Sequence, residues 1–203
     1  VGDRVAVLVS GSGTNLQALL DDPVVGPSIA LVVSDRPGAF ALVRARERGV
    51  RAVTLAPEKA ETRDSYDRSL MNVLLSDGIG VVLLAGFMRI VGSAVVDAFR
   101  HRILNVHPAL LPSFAGMQAE RQALDYGVRF TGVTVHLVDD KVDHGPIVLQ
   151  EPVVILPDDD EDSLHRRVQE VEHRLFPRAA RLLLEGRLRV EGRRVHIDEE
   201  EPA

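Results

Sequence analysis

Residues 5–20 read Val5-Ala6-Val7-Leu8-Val9-Ser10-Gly11-Ser12-Gly13-Thr14-Asn15-Leu16-Gln17-Ala18-Leu19-Leu20. A valine-rich apolar run ends in a Ser-Gly-Ser-Gly turn and passes into a segment with leucines at helical spacing. An apolar run without polar alternation fits a strand buried on both faces, as in a parallel sheet. The unit recurs along the chain. Ile29–Val33, the segment around Val53 and Leu55, Val81–Ala85 and Ile103–Val106 read as strands, with helices expected at about Ala39–Arg48, Thr62–Leu75 and Ser93–Phe99. Parallel neighbours need crossover connections, usually helical. The fold class read from this rhythm is α/β: a Rossmann-like, mostly parallel twisted sheet with helices on both faces.

After Val106 the rhythm changes. Pro108 and Pro112 bound a loop that runs to Gly116, and a helix is expected over Glu120–Tyr126. Val133–Val138 and Ile147–Ile155 are β-rich, about Ser163–Glu185 has the spacing of a long helix, and Arg187–Ile197 around Gly192 reads as a hairpin. The C-terminal half therefore carries late strands and a long helix. Glu199–Ala203 reads as a frayed tail. With no repeat or low-complexity linker, a single domain spanning residues 1–203 is expected, in two halves of about 1–106 and 107–203.

Composition narrows the function classes. The chain is 45% apolar but only 4% aromatic, so its core must be aliphatic. With no cysteine it has no disulfide framework, zinc–thiolate site or thiol nucleophile. A net charge of −6 argues against nucleic acid as a partner. The cationic side is 22 Arg against 2 Lys, a skew that reads as compositional bias. The longest apolar run, Ile79 to Met88, is broken by two glycines and is short of membrane length. Val5–Val9 is too short for the apolar core of a signal peptide, which makes the cytoplasm the expected location. The chain opens on Val1 and not on an initiator methionine, and the sequence is silent on anything upstream. The acids from Asp158 to Asp162 read as a solvated loop with favourable charge at a helix N-terminus, in preference to a metal site.

Ser10-Gly11-Ser12-Gly13-Thr14-Asn15 sits at the first strand-to-helix junction. Free N–H groups and the helix dipole favour an anion there, and glycines let the backbone approach it. No Gly-Lys-Ser/Thr follows, so this is not a P-loop. The dinucleotide fingerprint would want a third small residue where Leu16 stands, although Asp35 is placed to hold a ribose. A plain connecting turn is the competing reading.

Asn105-Val106-His107-Pro108 closes the fifth strand. Residues i and i+2 share a face, so Asn105 and His107 project together from a strand's carboxyl end, where open α/β sheets place ligands. A neutral amide donor beside an imidazole suits an oxygen that becomes negative during acyl transfer. The competing reading is a structural histidine at a sheet edge. Asp143, in Asp143-His144-Gly145-Pro146, is by default a turn residue. It becomes functional if the fold returns it to His107, where a carboxylate would support a charged imidazole. Asp139 and Asp140 compete for that role.

Together these segments resemble the phosphoribosylglycinamide formyltransferase family. The resemblance is carried by the glycine loop, Leu84-Ala85-Gly86-Phe87-Met88-Arg89-Ile90, Asn105-Val106-His107-Pro108-Ala109-Leu110-Leu111-Pro112, and the stretch from Thr131-Gly132 through Thr134-Val135-His136 to Pro146, with Glu172-His173 later. It covers roughly Val5 to Leu188. It implies formyl transfer from 10-formyltetrahydrofolate, as co-substrate, to the amine of glycinamide ribonucleotide, without a metal. Asn105, His107 and Asp143 would be catalytic. Gly13, Thr14 and Asn15 would hold the ribonucleotide phosphate, and Gln169 and Glu172 its ribose or glycinamide part. Met88, Arg89, Ile90 and Val91 would line the folate slot together with Asn105. Arg63 would meet the folate's glutamate carboxylates, and the loop from Val138 to Asp143 would close over the pterin. The partners implied are these small molecules, with no nucleic acid and no membrane; a homodimer is left open.

Two positions depart from the family pattern. Gln118 stands where histidine is usual, and Ala115 precedes Gly116 where proline is usual. Glutamine donates a hydrogen bond but carries no proton. A formyltetrahydrofolate hydrolase would share the Asn/His/Asp centre but normally carries an extra N-terminal domain. A methionyl-tRNA formyltransferase would need a basic C-terminal domain, whereas this sequence ends in acids. A nicotinamide- or nucleotide-binding module is the alternative from another class. The remaining histidines read as structural, with His136 and His144 nearest the candidate site. The sequence leaves the isomer of the Leu111–Pro112 bond open.

Overall fold

The computed structural model describes residues 4–58 and 61–198; the expected tail at Glu199–Ala203 lies outside the described residues. The chain groups into two compact units, Val1–Leu104 and Asn105–Ala203.

In the first unit the strands are β1 (Val5–Val9), β2 (Ile29–Ser34), β3 (Arg51–Thr54) and β4 (Val81–Leu84), in spatial order β3-β2-β1-β4, and every pairing is parallel. The helices are α1 (Thr14–Asp21), α2 (Val25–Ser28), α3 (Phe40–Glu47), α4 (Arg63–Ser76) and α5 (Ser93–Ala98). α1, α2 and α3 pack together, and α4 pairs with α5. Between such helices the inner strands must be apolar on both sides. All of β1 is solvent-excluded, and β4 is buried throughout. The short helix α2, with Pro27 inside it, is absent from the sequence expectation. Its one turn is anchored by Asp22, whose Oδ1 accepts from the N–H groups of Val24 and Val25 at 3.0 Å.

β1 is where the strand order reverses, with β2 on one side and β4 on the other. Such a switch point opens a crevice beyond the carboxyl end of the strands. The turn from β1 into α1 lies there. Gly13 caps α1 with φ +75°, and a Cβ on it would stand 2.6 Å from Cβ of Ala41. Both the backbone sign and the packing demand glycine at this position.

β5 (Ile103–His107) carries the chain into the second unit. There follow α6 (Ala119–Tyr126), β6 (Phe130–Leu137), β7 (Ile147–Val154), the long α7 (Glu161–Leu184), β8 (Leu188–Glu191) and β9 (Arg194–Ile197). Their order is β6-β7-β9-β8, with β6/β7 and β8/β9 antiparallel and β7/β9 parallel. α7 packs on β6 and β7. The acids before α7 do helix work. Asp160 Oδ1 accepts from Ser163 N at 2.7 Å while Ser163 Oγ accepts from Asp160 N at 3.1 Å, a reciprocal cap, and Asp159 pairs with Arg167. The Leu111–Pro112 bond is cis. Among the described residues no helix is long and apolar enough to cross a membrane.

Gly13→Ala should lower stability by at least about 1 kcal/mol, because alanine resists the left-handed conformation and would press on Ala41. Chemical denaturation checks this; an unchanged midpoint would contradict it.

Candidate active site

The glycine turn is tied into the first unit through Ser10. Ser10 Oγ donates to Asp35 Oδ1 at 2.6 Å and accepts from Met88 N at 2.8 Å. Ser10 and Asp35 are both buried. Asp35 is therefore engaged by the protein's own hydroxyl, a structural use for the acid weighed as a ribose ligand. The same relay fixes the start of the 88–91 segment, the expected folate slot. Met88 and Ile90 present large apolar side chains to solvent, each 55% exposed, while Val91 is buried. Arg89 stacks its guanidinium over the Tyr66 ring at 4.1 Å, and Arg63, at the start of α4, donates to the Val91 carbonyl at 3.5 Å. This unit thus brings together the backbone of 88–91, Arg63 and Arg89. Gly13, Thr14 and Asn15 form the cap and first turn of α1.

The second unit brings Asn105, His107 and Asp143 together. Asn105 and His107 lie two apart on β5, and Asp143 comes from the β6–β7 connection, 36 positions after His107 by number. Asp143 holds φ +50°, a conformation aspartate tolerates better than most residues. Its Oδ2 accepts from Gly116 N at 2.8 Å and lies 3.4 Å from His107 Nδ1. Its Oδ1 lies 3.4 Å from Asn105 Nδ2. His107 is 4% exposed. Its other nitrogen, Nε2, lies 2.9 Å from the Phe114 carbonyl. An ionised carboxylate and a carbonyl can only accept, so the doubly protonated ring is the form that satisfies both contacts.

His136, read from sequence as structural, belongs to this cluster. Its Nε2 lies 3.1 Å from Asn105 Nδ2 and 3.7 Å from Asp143 Oδ1, and its Nδ1 lies 2.9 Å from the Leu137 carbonyl. Donation from Nδ1 to that carbonyl makes Nε2 the acceptor, so the Asn105 amide donates to His136. At 3.7 Å the approach to Asp143 is too long for a hydrogen bond, and His136 reaches the carboxylate mainly through Asn105. The β6/β7 register shifts between Val135 and His136, with Val148 the extra residue on β7. His136 and Thr134 lie two apart on β6 and share a face. Thr134 braces the loop after His107: Oγ1 donates to the Ala109 carbonyl at 2.6 Å and accepts from Leu111 N at 3.1 Å.

Burial pushes the Asp143 carboxyl pKa up. The Gly116 N–H and the charge of His107 oppose that, and the group sits below the ordinary carboxylate range. Gly116 N–H thus supplies a donor to Asp143 from the main chain. Gln118 caps α6 with φ +58° and is exposed. His144 turns away to Asp139, 2.8 Å from its Oδ2, and Arg193 donates to the His144 carbonyl at 2.7 Å. Asp139 is thereby separated from the role of Asp143. Gln169 and Glu172 lie on α7: Gln169 Nε2 is 3.2 Å from His165 Nε2, and Glu172 is buried.

A strand-end amide and imidazole around an ionised carboxylate can, chemically, stabilise charge on an acyl oxygen and move a proton. The family described as "Formyl transferase" matches residues 3–180, and the chain belongs to that family. It is 38% identical over 199 residues to the phosphoribosylglycinamide formyltransferase of Escherichia coli K12, covering 96% of this chain and 93% of that one. It is 43% identical over 188 residues to the "Trifunctional purine biosynthetic protein adenosine-3" of Drosophila melanogaster, covering 90% of this chain but only 14% of that long relative. The crystal structure of glycinamide ribonucleotide transformylase 1 from Symbiobacterium toebii superimposes with a TM-score of 0.93 at 48% identity, over 98% of this chain and 96% of that one.

The depressed pKa of Asp143 gives a sign to acid sensitivity. A carboxyl whose folded value is lowered stabilises above its unfolded value of about 3.9 and loses that contribution as pH falls through the folded value. Asp143→Asn should therefore be less stable than the parent by about 1–3 kcal/mol at neutral pH. The gap should stay level down to about pH 4 and narrow only below it. Denaturation at a series of pH values reads this out. A gap that closes by pH 6 would contradict it.

Proposed function

We propose that this chain transfers the formyl group of 10-formyltetrahydrofolate to the amine of glycinamide ribonucleotide, releasing tetrahydrofolate. The observation that carries the reading is the convergence of Asn105 and His107 on one strand end with Asp143, held ionised, between them. Membership in the formyl transferase family supports a folate-derived donor. The full-length bacterial relative supports the ribonucleotide as acceptor.

The chemistry follows from what these groups can do. The neutral amine attacks the formyl carbon, and the carbonyl π-electrons move onto oxygen. Two donors serve that oxygen, the Nδ1–H of His107 and the amide of Asn105. Their resting contacts to Asp143, both 3.4 Å, are long, so a closer and increasingly negative oxygen can take them over. Asp143 balances the imidazolium and, through water, takes the proton from the attacking nitrogen and passes it to the leaving nitrogen. The carbonyl then reforms and the bond to the folate nitrogen breaks. In this reading the cap at Gly13, Thr14 and Asn15 receives the phosphate, with Gln169 and Glu172 serving the rest of the ribonucleotide. The 88–91 segment, Arg63 and Asn105 receive the folate. We further propose that residues 1–203 act as one domain, in the cytoplasm, with these small molecules as partners.

His107→Ala and Asp143→Ala should each lower turnover by about 10²–10³ while leaving substrate affinity within severalfold. The test follows tetrahydrofolate release with and without glycinamide ribonucleotide, and measures binding by calorimetry. Formyl loss that ignores the ribonucleotide would favour the hydrolase instead. Near-normal turnover in either variant would remove these residues from the mechanism.

A further inference from the structure

The two nitrogens of His107 are not equivalent. Nε2 faces the Phe114 carbonyl at 2.9 Å, and Nδ1 faces Asp143 at 3.4 Å. A carbonyl has no proton to give. While that contact lasts, Nε2 must keep its hydrogen whatever the charge of the ring. The proton that can be shared with a reacting oxygen is then the one on Nδ1. The Phe114 carbonyl is thus a device that decides which nitrogen does chemistry.

Something must hold that carbonyl in place. Phe114 sits at φ +54°, in the left-handed region where an aromatic residue is strained. Its loop is tied on one side by Ser113 N donating to the Leu110 carbonyl at 3.0 Å, and on the other by Gly116 N donating to Asp143. Its ring meets the ring of Tyr126 edge to face, with centroids 6.0 Å apart and planes at 65°. Tyr126 is the last residue of α6 and is 80% exposed. A cavity of about 340 Å³, lined by Leu110, Ser113, Phe114, Tyr126 and Phe130 among others, adjoins the pair. The Phe114 side chain therefore has space to move into, and the Tyr126 ring is a contact that restrains it. So exposed a tyrosine adds little to the core, which makes a purely structural account of its ring weak.

We propose that Phe114 and Tyr126 are positioning residues: the Tyr126 ring steadies Phe114 so that the Phe114 carbonyl pins Nε2–H of His107 and leaves Nδ1 to face the reacting oxygen. The consequence for turnover rests on the acyl-transfer reading of Asn105, His107 and Asp143. The tautomer does not. Asp143 pairs with His107 on the Nδ1 side, and His136 stands beyond it, 3.7 Å from the other oxygen of Asp143.

The test labels histidine with ¹⁵N and identifies the His107 signals by their loss in His107→Gln. In the parent, His107 Nε2 should carry a hydrogen donated to the Phe114 carbonyl. In Tyr126→Ala, that Nε2–H signal should be lost to exchange with water. Turnover should fall by about tenfold with both KM values unchanged, less than the ~10²-fold cost of displacing a catalytic group by a full ångström. Tyr126→Phe keeps the ring and should restore both readouts. A parent ring without a hydrogen on Nε2, or a Tyr126→Ala protein whose Nε2–H signal matches the parent, would overturn the proposal. The spectra need no substrate, so they decide it even if the parent proves inactive in formyl transfer.

Discussion

The Asp143 carboxylate is where three segments of the second unit meet. One oxygen takes the Gly116 N–H from the proline-bounded loop and faces His107, while the other faces Asn105, which in turn donates to His136. A buried carboxylate stays charged only when such partners outweigh its desolvation, and here they do. Remove the charge and each donor loses a charged acceptor. The strand end and the loop then depend on the remaining contacts, Asn105 to His136 and Thr134 to Ala109 and Leu111.

A second relay does comparable work in the first unit. The buried Ser10 hydroxyl sits between the Asp35 carboxylate and the Met88 N–H, so the glycine turn after β1 and the segment after β4 share one anchor. This is economical chemistry. The side chain just after β1 ties the glycine turn to the end of β2 and also fixes the 88–91 backbone. It explains why an acid placed like a ribose ligand need not be one.

Much of the architecture was legible because burial leaves a periodic trace. The valine-rich run of β1 and the apolar run of β4 had to be inner parallel strands, and the leucine spacing of α7 had to be a long helix. The short helix α2 escaped because its single turn rests on Asp22 and carries a proline, with no repeating face to read. In the site, Asn105 and His107 were legible because two residues on one strand share a face. Asp143 was legible only as a loop acid with rivals. His136 was read as structural but near the site, and its contact with Asn105 depends on how β5 and β6 lie side by side, which no local pattern encodes. The departure at Gln118 raised the question of what would stand by Asp143, and the Gly116 main-chain N–H is one donor that does.

What the sequence determined by itself is the set of local choices. Glycine was required where α1 begins, apolar strands where both faces are covered, and an amide and an imidazole on the same side of β5. These depend on residues close in the chain, and short-range sterics and periodicity settle them. Tertiary structure decided the rest: which acid meets His107, which histidine backs Asn105, and which nitrogen of His107 is free to share its proton. Those outcomes depend on Phe114, Gly116 and His136, whose relation to the site is a matter of distance in space. Hydrogen bonds between distant segments form only once packing has brought donor and acceptor within about 3 Å of each other.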